Sequence, residues 1–103
     1  MKLIAQMCEY IEEEIGDATK YAEAAHRLHA EHPRLADKFI DLADAEMAHA
    51  KILHGETEKL IEEARQRDGE PPAGMLAVYE YEHQKQIKRA AAARQLIADY
   101  RNS

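Results

Sequence analysis

Only two stretches of this 103-residue chain interrupt a helical pattern, and that sparseness constrains its fold more than any other feature. They are HAEHPR, around Pro33, and RDGEPPAG, residues 67–74, which holds the pair Pro71-Pro72. Proline lacks a backbone donor and clashes with the preceding turn, so each stretch ends a helix. Gly16 and Gly55 stand singly inside strong helical patterns, where each costs about 1 kcal/mol relative to alanine and is tolerated. Strand-type alternation is absent. The spacing predicts helices over about residues 2–30, 34–66 and 73–101, forming one all-α domain. Both joints are short, so consecutive helices should run antiparallel.

Each helix carries a seam with alternating steps of three and four, the pattern by which helices pack in bundles. The first runs Ile4, Met7, Ile11, Glu14, Ala18, Tyr21, Ala25, Leu28. The second runs Leu35, Phe39, Leu42, Glu46, His49, Leu53, with Leu60 continuing it beyond Glu56. The third runs Leu76, Glu80, His83, Ile87, Ala90, Arg94, Ile97. Small residues such as Ala18, Ala25 and Ala90 allow close approach. Three helices supply only a modest core for a monomer, so a homodimer or higher homo-oligomer is expected.

Charge and composition exclude several classes. A net charge of −6 argues against a general nucleic-acid binder, which needs a basic face. Residues 1–74 carry 17 acids and 9 bases, whereas residues 75–103 carry 3 acids and 5 bases. A mildly basic last segment beside an acidic body suggests docking within or between chains, or simply solvated helix faces. The single Cys8 excludes an internal disulfide and a Cys-x-x-Cys metal knot, and fits a small core residue. The opening MKLIAQMCEYIEEE meets acids too soon for a signal peptide, and no apolar run is long enough to span a membrane. The expectation is a soluble, cytoplasmic protein without nucleic-acid or membrane partners.

The residues that break the seams carry the chemistry. Glu14 interrupts the first, Glu46 and His49 the second, Glu80 and His83 the third. An unpaired carboxylate or imidazole in a packed core costs several kcal/mol, so such groups are paired or bound to something. Residues three apart on a helix lie roughly 60° apart around the axis, so a Glu-x-x-His pair can aim both side chains at one point. Glu14 lies about 17 residues before the first turn and Glu46/His49 about 15 after it, which agrees within roughly one helical turn. The third helix fits less well. Its pair lies about 8 residues in, whereas Glu46/His49 lies about 18 before the end of the second helix, a mismatch of order 15 Å. An extended linker could absorb it; otherwise Glu80/His83 meets a second subunit's site, or lies nearer His54 and Glu58.

EEEIGDATKY, with Glu14 seven residues before Tyr21, and LADAEMAHAKILH, with Glu46-x-x-His49, resemble the ferritin-like di-iron proteins. The likeness is to rubrerythrin-type and encapsulated-ferritin hairpins, over about residues 9–66. It implies a four-helix bundle holding a carboxylate-bridged dinuclear iron site, two irons per site, with Mn or Zn as alternative metals. The family pattern has four helices and this chain three, so two completions follow. Either two hairpins of a homodimer supply Glu14, Glu46 and His49 twice, or the third helix adds Glu80 and His83 within one chain. The resemblance further implies that Tyr21 hydrogen-bonds a ligand carboxylate. The rubredoxin-type cysteine knot is absent, and neither a cargo tail nor a surrounding protein shell is evident before the final DYRNS.

The function this implies is oxidation of Fe(II) by dioxygen or peroxide, a ferroxidase-type oxidoreductase with no catalytic residues beyond the metal ligands. Mineral storage would need a cage that is not visibly encoded. Two other readings are a non-catalytic oligomerisation or adaptor protein with a structural polar cluster, and a Mn or Zn site without turnover. Elsewhere, His26, His29 and His32 suit the negative end of the first helix dipole. Glu12, Glu13, Glu62 and Glu63 read most simply as solvated acids, with Glu13 or Asp17 as candidates for admitting a cation.

Overall fold

The computed structural model describes residues 2–103, which form three helices: α1 (Lys2–Leu28), α2 (Pro33–Asp68) and α3 (Ala73–Arg101). The bounds differ from the sequence expectation by no more than two residues. Pro33 opens α2, where its missing N–H would be unpaired in any case, and the His32 carbonyl accepts from Ala36 N–H at 2.9 Å. α2 closes at Gly69, whose φ of 81° lies in the left-handed region open to glycine. Its N–H donates to the Arg65 carbonyl at 2.8 Å. Pro72 then precedes α3, so the linker does not climb the bundle.

α1 and α2 form an antiparallel hairpin in contact along most of its length, in a rod 55 × 19 × 18 Å. α3 returns beside α1, roughly parallel to it, and meets α2 more lightly. The interior of the hairpin is built from alanine: Ala18, Ala22, Ala25, Ala36 and Ala43 are wholly buried beside Ile40, Ala93 and Ile97. A second cluster joins Ile11, Ile15, Ala50 and Ala90.

This core corrects the expected seams. In α2 the buried positions are Ala36, Ile40, Ala43, Ala50 and Thr57, with Met47 packed beside them. The expected stripe Leu35, Phe39, Leu42, Glu46, His49, Leu53 lies one residue earlier at each step, turned by roughly 100° about the axis. The reason is steric: alanines let two helix axes approach closely, whereas leucines and Phe39 would hold them apart. Leu35 and Leu42 are accordingly 48% and 46% exposed. In α3 the buried face is Gln86, Ala90, Ala93, Ile97 and Tyr100, so Ala90 and Ile97 keep their expected places while Ile87 is exposed.

α1 shows the consequence. Ile4, Ile11, Ala18 and Ala25 of its seam are buried, but Met7, Glu14, Tyr21 and Leu28 are only half-buried. With exposed Leu3 and Tyr10 they line a second face, and on a helical wheel that face lies roughly 100° from the Ile4/Ile15/Ala22 line. The hairpin therefore has two apolar stripes: an alanine-rich one filled by its own packing, and a bulkier one left uncovered.

Polar contacts fix the far end of α3. Tyr100 donates its hydroxyl proton to Asp37, and His26 Nε2 donates to the Leu96 carbonyl at 2.9 Å. The His26 and His29 rings meet Tyr100 edge-on, with His29 Nδ1 3.3 Å from its hydroxyl. Arg101 pairs with Asp44, and Lys85 Nζ lies 3.7 Å from Glu12 Oε1. The basic final segment thus docks on the acidic body within the chain. His26 and His29 act as a clasp on α3, beyond any role at the α1 dipole.

Candidate metal centre

Glu14 projects from the middle of α1 and Glu46 and His49 from the middle of α2, on the bulkier stripe of the hairpin. Antiparallel packing about the turn at residues 29–32 brings them to one level, as the spacing requires. One ligand atom from each lies within 4.8 Å of the others. His49 Nδ1 is 3.6 Å from Glu14 Oε2 and 3.9 Å from Glu46 Oε1. Neither separation is a hydrogen bond. Glu14 Oε2 is buried with no hydrogen-bond partner, an arrangement that normally costs about 1–3 kcal/mol or more for a charged group. The glutamate side chains are 27% and 19% exposed, that of His49 54%. The cluster therefore has a buried carboxylate floor and an imidazole at its open rim.

Two hard carboxylates and one imidazole nitrogen suit iron, manganese or zinc, and the unpartnered Glu14 oxygen gives such an ion something to satisfy. Three protein atoms are fewer than a six-coordinate ion takes, and they sit at a surface rather than inside a cage.

The other predicted residues lie elsewhere. α3 packs on the alanine-rich stripe of the hairpin, and Glu80 and His83 are not among the side chains that converge with Glu14, Glu46 and His49. His83 instead stacks on His54, rings 5.2 Å apart, with the two Nε2 atoms 3.2 Å apart. Glu80 is exposed and accepts from Gln84 Nε2 at 2.9 Å. α3 starts at Ala73, directly after Pro72, and its His83 lies beside His54, one to two turns along α2 from Glu46 and His49. Tyr21 stacks on Phe39 with ring centroids 5.9 Å apart, and among the described residues its hydroxyl makes no hydrogen bond to the cluster. Cys8 is half-buried and lines a cleft, and burial pushes its thiol pKa up, as for an unreactive thiol. Among the described residues no helix is long and apolar enough to cross a membrane.

Of the three places the sequence left open for Glu80/His83, His83 takes the one near His54. The available signal was the linker: Pro71-Pro72 directly before a helix start leaves no length in which to climb.

Comparison with protein-family models, with curated proteins and with solved structures finds no match to this chain. The ferritin-like resemblance rests on Glu14, Glu46, His49 and their setting alone.

Proposed function

We propose that this chain is a ferritin-like metal protein whose hairpins pair through their uncovered stripe. Two copies of Glu14, Glu46 and His49 then face one another in a four-helix bundle and hold two irons. The supporting observation is the convergence of these three side chains around a buried, unpartnered Glu14 oxygen on a face that is otherwise apolar. Leu35, Leu42, Leu3 and Tyr10 flank that cluster uncovered, so pairing removes apolar surface from water and completes the ligand set in one event.

Within this reading Glu14 and Glu46 provide the oxygen donors that suit ferric iron, and His49 Nδ1 provides the nitrogen that holds ferrous iron. Bound iron supplies the electrons that reduce dioxygen or peroxide. The chain's own work is electrostatic and positional: two carboxylates held a few ångströms apart repel each other until a cation lies between them, and the flanking Leu and Tyr side chains limit water. Aerobic addition of Fe(II), followed by absorbance, tests the proposal. Oxidation above the buffer rate, lost in Glu46→Ala/His49→Ala, supports it; a buffer rate in folded protein refutes it.

A second reading is favoured by the 54% exposure of His49. The face pairs without metal, and the polar cluster fixes register as buried polar groups do in coiled coils. Stoichiometric iron in the wild type that is absent from the double variant excludes it.

A further inference from the structure

The His54–His83 contact lies five residues past His49 on α2, outside the Glu14/Glu46/His49 cluster, and nothing in the iron chemistry uses it. It stands as a bar between two clefts of about 400 and 320 Å3, both lined by His54, His83 and Gln86. His54 Nδ1 is 3.0 Å from Glu58 Oε1, one turn further along α2. A proton on Nδ1, beside that carboxylate, leaves the lone pair of His54 on Nε2, the atom that faces His83. A carboxylate beside the far ring nitrogen is the usual neighbour of a metal-bound histidine. The Nε2 atoms are 3.2 Å apart. Two imidazole nitrogens each about 2.0–2.1 Å from a tetrahedral ion stand about 3.3 Å apart, so the pair already has the bite of a metal chelate.

A second observation comes from Gln86, one turn after His83. It is 6% exposed, its Nε2 is buried with no oxygen or nitrogen partner and only the weak acceptor Cys8 Sγ beside it, and the side chain lines both clefts. A water completing the coordination of an ion between the histidines would offer that amide an acceptor. The setting also explains a need for such a tie. The first three turns of α3 carry exposed Met75, Val78 and Tyr81, and its buried positions begin only at Gln86.

We infer that His54 and His83 form a second metal site, for a borderline divalent cation of the zinc class, which clasps the start of α3 to α2. Imidazole ligands without thiolate suit Zn2+, and Co2+ serves as its spectroscopic substitute. Binding requires His83 to carry its proton on Nδ1, leaving both Nε2 lone pairs for the ion. Both rings are partly exposed, so the ion has a path in from solvent. Glu58 is a positioning residue, whose charge beside His54 Nδ1 favours the proton on that nitrogen.

The test uses the full chain with the other cluster removed, Glu46→Ala/His49→Ala, so that its result is independent of the iron proposal. Titration with Zn2+ by calorimetry, and with Co2+ by visible absorbance, should show one ion per chain. His83→Gln should abolish it, and Glu58→Ala should weaken it about 10–100-fold. In wild-type protein, NMR of the histidine ring nitrogens should show Zn2+ shifting His54 and His83, which keeps the test valid if the double variant folds poorly. Zinc that binds equally well after His83→Gln, that shifts only His26, His29 or His32, or that does not bind at millimolar concentration, overturns the inference.

Discussion

Replacing Glu14 by glutamine keeps its shape and removes its charge, and the structure predicts that the effect on stability changes sign with metal. Without metal, Glu14 and Glu46 place carboxylate oxygens no more than 4.8 Å apart. Two like charges at that distance repel by about 3 kcal/mol at an effective dielectric of 20 and by under about 1 kcal/mol in water. The glutamates are mostly but not fully buried, so relief of about 1–2 kcal/mol is expected at pH 8, above the usual imidazole range. For a chain of this size about 1 kcal/mol moves the melting temperature by roughly 4–8 °C. Metal-free Glu14→Gln should therefore melt about 5–15 °C above the metal-free wild type. With metal at about 100 times its dissociation constant the wild type gains about 2.7 kcal/mol. The variant, lacking a charged ligand, gains less, and the order of melting temperatures reverses. Thermal melts followed by circular dichroism, with chelator and with Fe(II) under anaerobic conditions, read both arms. A variant that is destabilised without metal, or equally stabilised by it, would refute the idea of Glu14 as an unsatisfied ligand.

Other outcomes follow from the packing. Tyr100, bonded to Asp37, has its pKa pushed up to about 12, with burial adding to that bond. The folded chain thus binds the phenolic proton more tightly than the unfolded one, so this stabilisation is complete below pH 10 and is lost as pH rises towards 12. Ultraviolet titration should show one late-ionising tyrosine, absent from Tyr100→Phe. Ile97 is 5% exposed and Ile87 47%; Ile97→Ala should cost about 2–4 kcal/mol in urea unfolding and Ile87→Ala less than about 1 kcal/mol. Leu42→Glu, on the uncovered stripe, should leave helix content unchanged and shift sedimentation towards the monomer; an unchanged association state would remove that stripe from the pairing surface.

The three helices were legible because Pro33 and Pro71-Pro72 leave no other way to divide the chain. The convergence of Glu14 with Glu46 and His49 was legible from rise per residue alone, since a short turn fixes the register of a hairpin. The inner face was not. Reading α2 by its bulkiest side chains selects Leu35, Phe39 and Leu42, whereas close approach selects Ala36, Ala43 and Ala50 one position on. Alanine stripes carry little hydrophobic weight, so sequence reading ranks them below the leucine stripe that association is proposed to cover. The place of α3 depended on the exact residue at which the helix begins after Pro72, which composition does not fix. Its docking by His26, His29 and Asp37 to Tyr100 joins residues more than sixty positions apart that share no periodic signal.

The central claim is that the bulkier face of the hairpin pairs with itself around metal. The most direct measurement is the mass in solution together with the iron content of the same sample, made in His83→Gln to leave the second site out. Pairs of the 11.7 kDa chain, or multiples of pairs, carrying about one iron per chain are predicted. Monomers that retain iron, or pairs that hold none after anaerobic loading with Fe(II), would contradict it.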